Sequence, residues 1–203
     1  MRRFIPDLLA CLLLICSVSS GADELYLLPL APDHVGLTMK KYPSLCWIRI
    51  DKPPVGATMM FTLMDSRFIE PIVEVQLPSS MLTEKNETCH CVNLKDYDTQ
   101  LEPDIQYRWY ISIVQNPESH SQNIVAGGVI ERCSFEECLM ILETSSRCDT
   151  QSVNSLARSG FWYDSISCLC DLIKSSPDDQ TFQRQLHSLM RAAGLIPRKT
   201  GYE

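Results

Sequence analysis

The spacing of apolar residues changes period once along this chain of 203 residues, near Cys133, and that change restricts the fold more than any other feature. Before it the period is two. Leu45 to Ile50 alternates between two faces, Thr58 to Met64 sets Met59, Phe61 and Leu63 against Thr58, Met60 and Thr62, and Ile72 to Leu77 sets Val73, Val75 and Leu77 against Glu74 and Gln76. Alternation of this kind places one side of a strand in a core and the other in water. Turn formers separate the runs: Lys52-Pro53-Pro54-Val55-Gly56, Asp65-Ser66 and Pro78-Ser79-Ser80. Short strands at this spacing predict an antiparallel β-sandwich over 23–133.

The most specific strand follows Leu101-Glu102-Pro103, with Tyr107, Trp109, Ile111 and Ile113 on one face. A leucine and a proline ahead of a tyrosine that opens a strand resemble the tyrosine corner of immunoglobulin and fibronectin-type sandwiches, whose hydroxyl bonds back to the preceding loop. Trp109 and Tyr107 are expected in the core. A last strand is expected from about Ile124 to Arg132, where Gly127-Gly128 predicts a bulge or a close backbone approach.

From Ser134 to the end of the chain the period is helical, which predicts a helical region over 134–203 packed on the sandwich. Ser134 and Glu137 make a capping box ahead of Phe135, Cys138, Leu139 and Leu142. A second helix is expected over about 150–159, stopping at Gly160, and a third over about 162–174, ending before Pro177. A fourth is expected over about 179–193, with Asp178-Asp179 as its cap. Gly160, Trp162, Ser165, Leu169, Leu172 and Pro177 fall at the spacing of half a tetratricopeptide repeat, so the helical hairpin resembles a degenerate unit of that kind. One unit cannot bury its own apolar face and must lean on the sandwich.

The first residues read as an export signal. Arg2 and Arg3 precede an uncharged core from Leu8 to Ile15, and small residues run from Ser17 to Ala22, so 1–22 is expected to be a cleaved signal peptide. The apolar core is shorter than the roughly 20 residues of a spanning helix. No integral membrane segment is expected after cleavage. Losing Arg2, Arg3 and Asp7 takes the formal net charge from −7 to −8. An acidic chain whose basic clusters are only Lys40-Lys41 and Arg198-Lys199 excludes nucleic acid as the expected partner.

Eight cysteines lie beyond that segment: Cys46, Cys89, Cys91, Cys133, Cys138, Cys148, Cys168 and Cys170. An even number in an exported chain favours disulfides over buried thiols and over a metal site, because Cys-x-Cys and Cys-x4-Cys are not the paired Cys-x2-Cys knuckles of structural zinc. No metal or cofactor is expected. In a strand Cys89 and Cys91 share a face, whereas in a helix Cys168 and Cys170 diverge by about 200°, so the helical pair should have separate partners.

Several pieces in order and at a specific spacing carry a further resemblance, which covers about Leu30 to Leu195. They are Ala31-Pro32, Gly36-Leu37-Thr38, Tyr42-Pro43 with Trp47, Tyr107-Arg108-Trp109-Tyr110, Asn116-Pro117, Ile130-Glu131-Arg132, Gly160-Phe161-Trp162-Tyr163-Asp164, Pro177-Asp178-Asp179 and Gly194-Leu195. The chain resembles a bacterial exported family known as domain of unknown function 928. Ile48 and Arg49 stand where the family continues an aromatic run, and most of the cysteines are not part of its pattern. The resemblance implies a fold and an address and no activity.

Catalytic signatures are nearly absent. The chain has no Gly-x-Ser-x-Gly elbow, no His-Glu-x-x-His, no phosphate loop and no dinucleotide fingerprint. Cys89-His90-Cys91 is the one place where thiol and imidazole are neighbours, and strand neighbours face opposite ways. The expected function is therefore a non-enzymatic interaction protein of the periplasm or cell envelope whose partner is another exported protein. The alternatives are a carbohydrate or cell-wall binder and a thiol enzyme built on Cys89-His90-Cys91. The expected contact surface is the seam between hairpin and sandwich, at Tyr110, Trp162 and Tyr163, unless a ring proves fully buried.

Overall fold

The computed structural model describes residues 27–50, 53, 55–83, 89–115, 123–134 and 148–196. The expected signal segment, the helix expected after Ser134 and Cys138 lie outside them. Eight strands and four α-helices give a mixed α+β chain with two sheets among the described residues.

The smaller sheet has the order β1-β3-β6, built from Leu27–Pro29, Ser44–Arg49 and Cys89–Asn93, and both its ladders are antiparallel. The larger sheet has the order β2-β8-β7-β4-β5, from Gly36–Thr38, Ile124–Arg132, Gln106–Val114, Thr58–Asp65 and Pro71–Gln76. Four of its strands form antiparallel ladders, but β2 runs parallel to β8, which corrects the purely antiparallel expectation. The physical reason lies in the segment Leu30 to Val35. It carries the chain from the edge of the small sheet to the edge of the large one, and a strand that changes sheets is not bound to the hairpin rule.

The two sheets share one core. Leu45, Trp47 and Val92 of the small sheet meet Met59, Phe61, Leu63, Tyr107, Trp109, Ile111 and Ile113 of the large one. Period-two alternation puts Cys46, Ile48, Cys89 and Cys91 on the other side of the small sheet, where a second cluster forms with Val153, Ile166, Leu169, Cys170, Leu186 and Met190. The small sheet is thus buried on both faces. That explains why five successive residues of β3, Leu45 to Arg49, are buried.

Two short helices belong to the strand-rich part, α1 at Ser80–Thr83 and a 3-10 turn at Leu94–Tyr97. The other three form the outer layer: α2 at Thr150–Arg158, α3 at Trp162–Ser175 and α4 at Gln180–Ala192. The Asp149 carboxylate accepts from Ser152 N at 2.8 Å to cap α2, and Gly160 at φ +85° ends it, a backbone region that glycine enters at little cost. Asp179 caps α4 by accepting from Thr181 N. That is the role expected of the Asp178-Asp179 pair.

Two expected features take definite form. The Tyr107 hydroxyl accepts from Glu102 N at 3.0 Å, closing a tyrosine corner on the loop before the strand. Gly127 and Gly128 make a close approach and not a bulge, since β7 and β8 pair without a register shift from Gln106↔Glu131 to Ile113↔Ile124. A Cβ on Gly127 would overlap the Trp109 carbonyl, and one on Gly128 would overlap the Ala31 side chain.

The helices are fastened to the sheets through the first turn of α3. Tyr163 reaches into the inter-sheet core, where its hydroxyl accepts from Trp109 Nε1 at 2.9 Å and donates to the Val129 carbonyl at 3.0 Å. Trp162 Nε1 donates to the Leu30 carbonyl at 2.9 Å. Asp164 Oδ2 accepts from Met39 N at 2.8 Å, and Lys40 Nζ donates to Ser167 Oγ at 2.9 Å. Glycine at 36 and 128 leaves the space that the Tyr163 ring occupies.

Candidate functional site

The disulfides lie both within the layers and between them. Cys46 and Cys91 face each other across the β3–β6 ladder and are bonded, Cys89 of β6 is bonded to Cys170 of α3, and Cys148 is bonded to Cys168. Cys133 is also disulfide-bonded. Cys168 and Cys170 do have separate partners, as their angular separation on a helix requires. The Cys89–Cys170 bond closes a span of 81 residues between strand and helix, and a loop of that size is worth about 4 kcal/mol in chain entropy.

His90 is only 3% exposed and faces the inter-sheet core, where its ring stacks on Trp47 with centroids 5.9 Å apart. Cys89 and Cys91 face the helices instead. The imidazole and the two sulfurs therefore stand on opposite faces of β6, and both sulfurs are held in disulfides. A Cys-His nucleophile is not assembled at this tripeptide.

Tyr110, Trp162 and Tyr163 are not brought together. Tyr163 is 1% exposed and hydrogen-bonded inside the core, so it drops out as a contact residue. Burial pushes its hydroxyl well above the ordinary tyrosine range. The reason is helix phase: at the second position of α3 the side chain points back toward the sheets and fills the space beside Gly36 and Gly128. Phe161 is buried as well. Trp162 is half-buried and packs between the two clusters, which makes it part of the joint.

Tyr110 sits elsewhere, on the outer face of the large sheet. That face carries Met60, Thr62 and Met64 of β4, Ile72 and Glu74 of β5, Arg108, Tyr110 and Ser112 of β7, and Val125, Gly127 and Val129 of β8, since their strand neighbours point into the core. Tyr110 lies opposite Gly127, and its ring occupies the place where a side chain at 127 would stand. The half-burial of the ring follows from that contact.

Three shallow depressions line this face and share residues. One is lined by Arg108, Tyr110 and Val125 to Val129, the next by Met64, Asp65, Ser66, Phe68, Arg108 and Tyr110, and the third by Arg67 to Ile72. Arg108 and Tyr110 join the first two, and Phe68 joins the second to the third. Of the exposed large apolar residues described, Phe68, Ile69, Ile72 and Val125 belong to this strip, and Ile69 is 93% exposed. The β4–β5 turn that holds Phe68 and Ile69 is pinned by Asp65. Its carboxylate accepts from Arg67 N at 2.9 Å and from Arg67 Nη2 at 2.6 Å, and Arg67 Nη1 bridges on to Glu102 at 2.9 Å. The Arg67 hydrogen bonds hold the Asp65 carboxyl below its ordinary range against the opposing effect of burial.

A second charged feature is Asp164, a buried carboxylate in the first turn of α3. Burial raises its pKa and outweighs the Met39 N–H bond and the Lys40 ammonium 3.9 Å away, which both lower it. It serves the joint between helix and β2 and opens onto none of the depressions described above.

The sequence profile of the family described as Domain of Unknown Function (DUF928) spans residues 17–198. The chain belongs to that family. The match covers the whole described part of this DUF928 protein, so both sheets and the outer helices fall within the family's extent. No curated protein matches it. No helix among the described residues is long and apolar enough to cross a membrane.

Proposed function

We propose that this DUF928 protein is an exported, non-enzymatic binding protein that docks another exported protein on the outer face of its larger sheet. The observation that carries the reading is the joined strip from Ile72 and Ile69 through Phe68 and Tyr110 to Val125, whose apolar side chains are interspersed with Arg67, Glu70 and Arg108. Exposed apolar side chains that form one patch, and are not scattered singly, mark interaction surfaces. The small sheet has both faces covered, whereas the outward-facing residues of the large sheet join neither buried cluster. Arg108 makes no ion pair among the described residues, so a partner that offers an apolar side chain beside a carboxylate fits the strip.

Export is supported by the disulfides, which persist in oxidising compartments. The tyrosine corner at Tyr107 supports an immunoglobulin-type reading of the two sheets, and the packing of α3 against its neighbours supports kinship of the hairpin with a single tetratricopeptide unit. A carbohydrate platform is the weaker reading, because the aromatic cluster at Phe161 to Tyr163 turns inward. The test is affinity capture from the exported fraction with Phe68→Asp and Tyr110→Ser variants. Loss of the same captured protein by both, with unchanged far-ultraviolet dichroism and melting, supports the surface. Undiminished capture by both variants sinks it.

A further inference from the structure

The disulfides of the small sheet are close enough to exchange. Cys46 and Cys91 are register partners on the helix-facing side, Cys89 stands two residues from Cys91 on the same side, and Cys170 comes down from α3 above them. The sulfurs of Cys46, Cys91 and Cys170 all lie within 4.8 Å of one another although they belong to two different bonds. Cys46, Cys89 and Cys170 are 1%, 2% and 0% exposed, while Cys91 is partly exposed. Thiol exchange is governed by which sulfur a thiolate can reach and by which sulfurs are in line behind it. Here access and succession point to one route.

We propose that Cys91 is a thiol-acceptor site for an external thiolate, and that attack there drives a disulfide exchange in which Cys170 passes from Cys89 to Cys46. In the first step the external thiolate bonds to Cys91 Sγ, the Cys46–Cys91 bond breaks, and the electron pair leaves on Cys46. In the second the Cys46 thiolate attacks Cys170, the Cys89–Cys170 bond breaks, and the thiolate passes to Cys89. In the third the Cys89 thiolate attacks Cys91, closes a Cys89–Cys91 bond and expels the external thiolate unchanged. Two disulfides enter and two leave, so no oxidant or reductant is consumed. The outcome moves the covalent tether of α3 from β6 to β3. His90 takes no part, because it faces the opposite side of β6.

Tryptic mapping without reduction reads the result directly, since Lys85 and Lys95 release Cys89 and Cys91 in one peptide, Lys41 and Arg49 release Cys46, and Arg158 and Lys174 release Cys168 with Cys170. The oxidised full chain is incubated with reduced glutathione in one arm and with a reduced dithiol protein in the other, then acid-quenched and alkylated. The expected product is a free 86–95 peptide carrying an internal disulfide, with the Cys46 peptide joined to the Cys170 peptide and Cys148–Cys168 retained. Response to glutathione alone assigns the site to small thiols, and response to the dithiol protein assigns it to a protein donor. A Cys91→Ser variant leaves a Cys46 thiol beside Cys170, and the thiol that the substitution frees should be distributed between Cys46 and Cys89. Native pairing alone in both arms, a first adduct on a cysteine other than Cys91, or a Cys91→Ser protein whose free thiol stays wholly on Cys46 overturns the proposal.

Discussion

Removing one oxygen at Tyr163 should loosen the joint that fastens the helices to the sheets. In Tyr163→Phe the ring and its apolar contacts remain, so the lost energy is that of the hydroxyl alone. That hydroxyl accepts from Trp109 Nε1 and donates to the Val129 carbonyl, at 2.9 and 3.0 Å, inside a core where Trp109 is fully buried. The Val129 carbonyl loses one partner, whereas the indole N–H is stranded without water. A net hydrogen bond is worth about 1 kcal/mol and a stranded buried donor costs about 1–3 kcal/mol, so the variant should lose about 2–4 kcal/mol. Tyr107→Phe is the matched control, because its hydroxyl accepts one bond, from Glu102 N, and its loss should cost about 1 kcal/mol. Urea unfolding of the oxidised proteins gives both values from the midpoint at constant slope. A Tyr163→Phe protein within about 0.5 kcal/mol of wild type, a conventional surface-substitution effect, would mean that the hydroxyl does not hold the joint.

Gly127→Ala should cost about 1–3 kcal/mol in the same assay, since its Cβ meets a backbone carbonyl that cannot rotate away. Asp149→Ala should cost about 1 kcal/mol through the lost cap of α2, whereas Asp149→Ser keeps a capping oxygen and should retain most of that stability. Asp164 has a folded pKa above the 3.8 of an unfolded aspartate, so between those values the folded state alone holds the proton and stability falls as pH rises through the folded pKa. Thermal melting across acid to neutral pH should therefore show wild type losing ground to Asp164→Asn as pH rises, and an unchanging gap would contradict it. Asp65 acts in the opposite sense. Its folded pKa is depressed by Arg67, so its contribution is present above 3.8 and is lost as pH falls through the lowered value, a loss that Asp65→Asn should abolish.

What could be read in the residues follows from burial. Strands β4 and β7 are buried on one side only, so their alternation predicted both the strands and the inward residues Met59, Phe61, Trp109 and Ile111. Helices Thr150–Arg158 and Gln180–Ala192 are legible within one or two residues for the same reason, whereas Trp162–Ser175, buried at every position from Tyr163 to Cys170, is marked by its bounding Gly160 and Pro177. Strands β1 and β2, three residues each, are too short to show a period. Strand β6 is covered on both sides, so Cys89-His90-Cys91-Val92 carries no polar face to mark it. The site was harder still. Tyr163 went from contact residue to core because a helix start decides which of two adjacent rings turns inward, and local spacing does not carry that. The open strip has a sequence signal of its own: Phe68-Ile69 stands inside the Asp65 to Pro71 turn, where polar residues would ordinarily lie.

Site-specific photo-crosslinking in the producing cell would show whether a protein partner sits on the outer face of the larger sheet. A photoreactive residue at Ile69 or Val125 should yield the same discrete adduct, and one at Thr181 on the exposed side of α4 should yield none. An adduct formed from Thr181 and absent from both sheet positions would place the partner on the helices and not on the sheet.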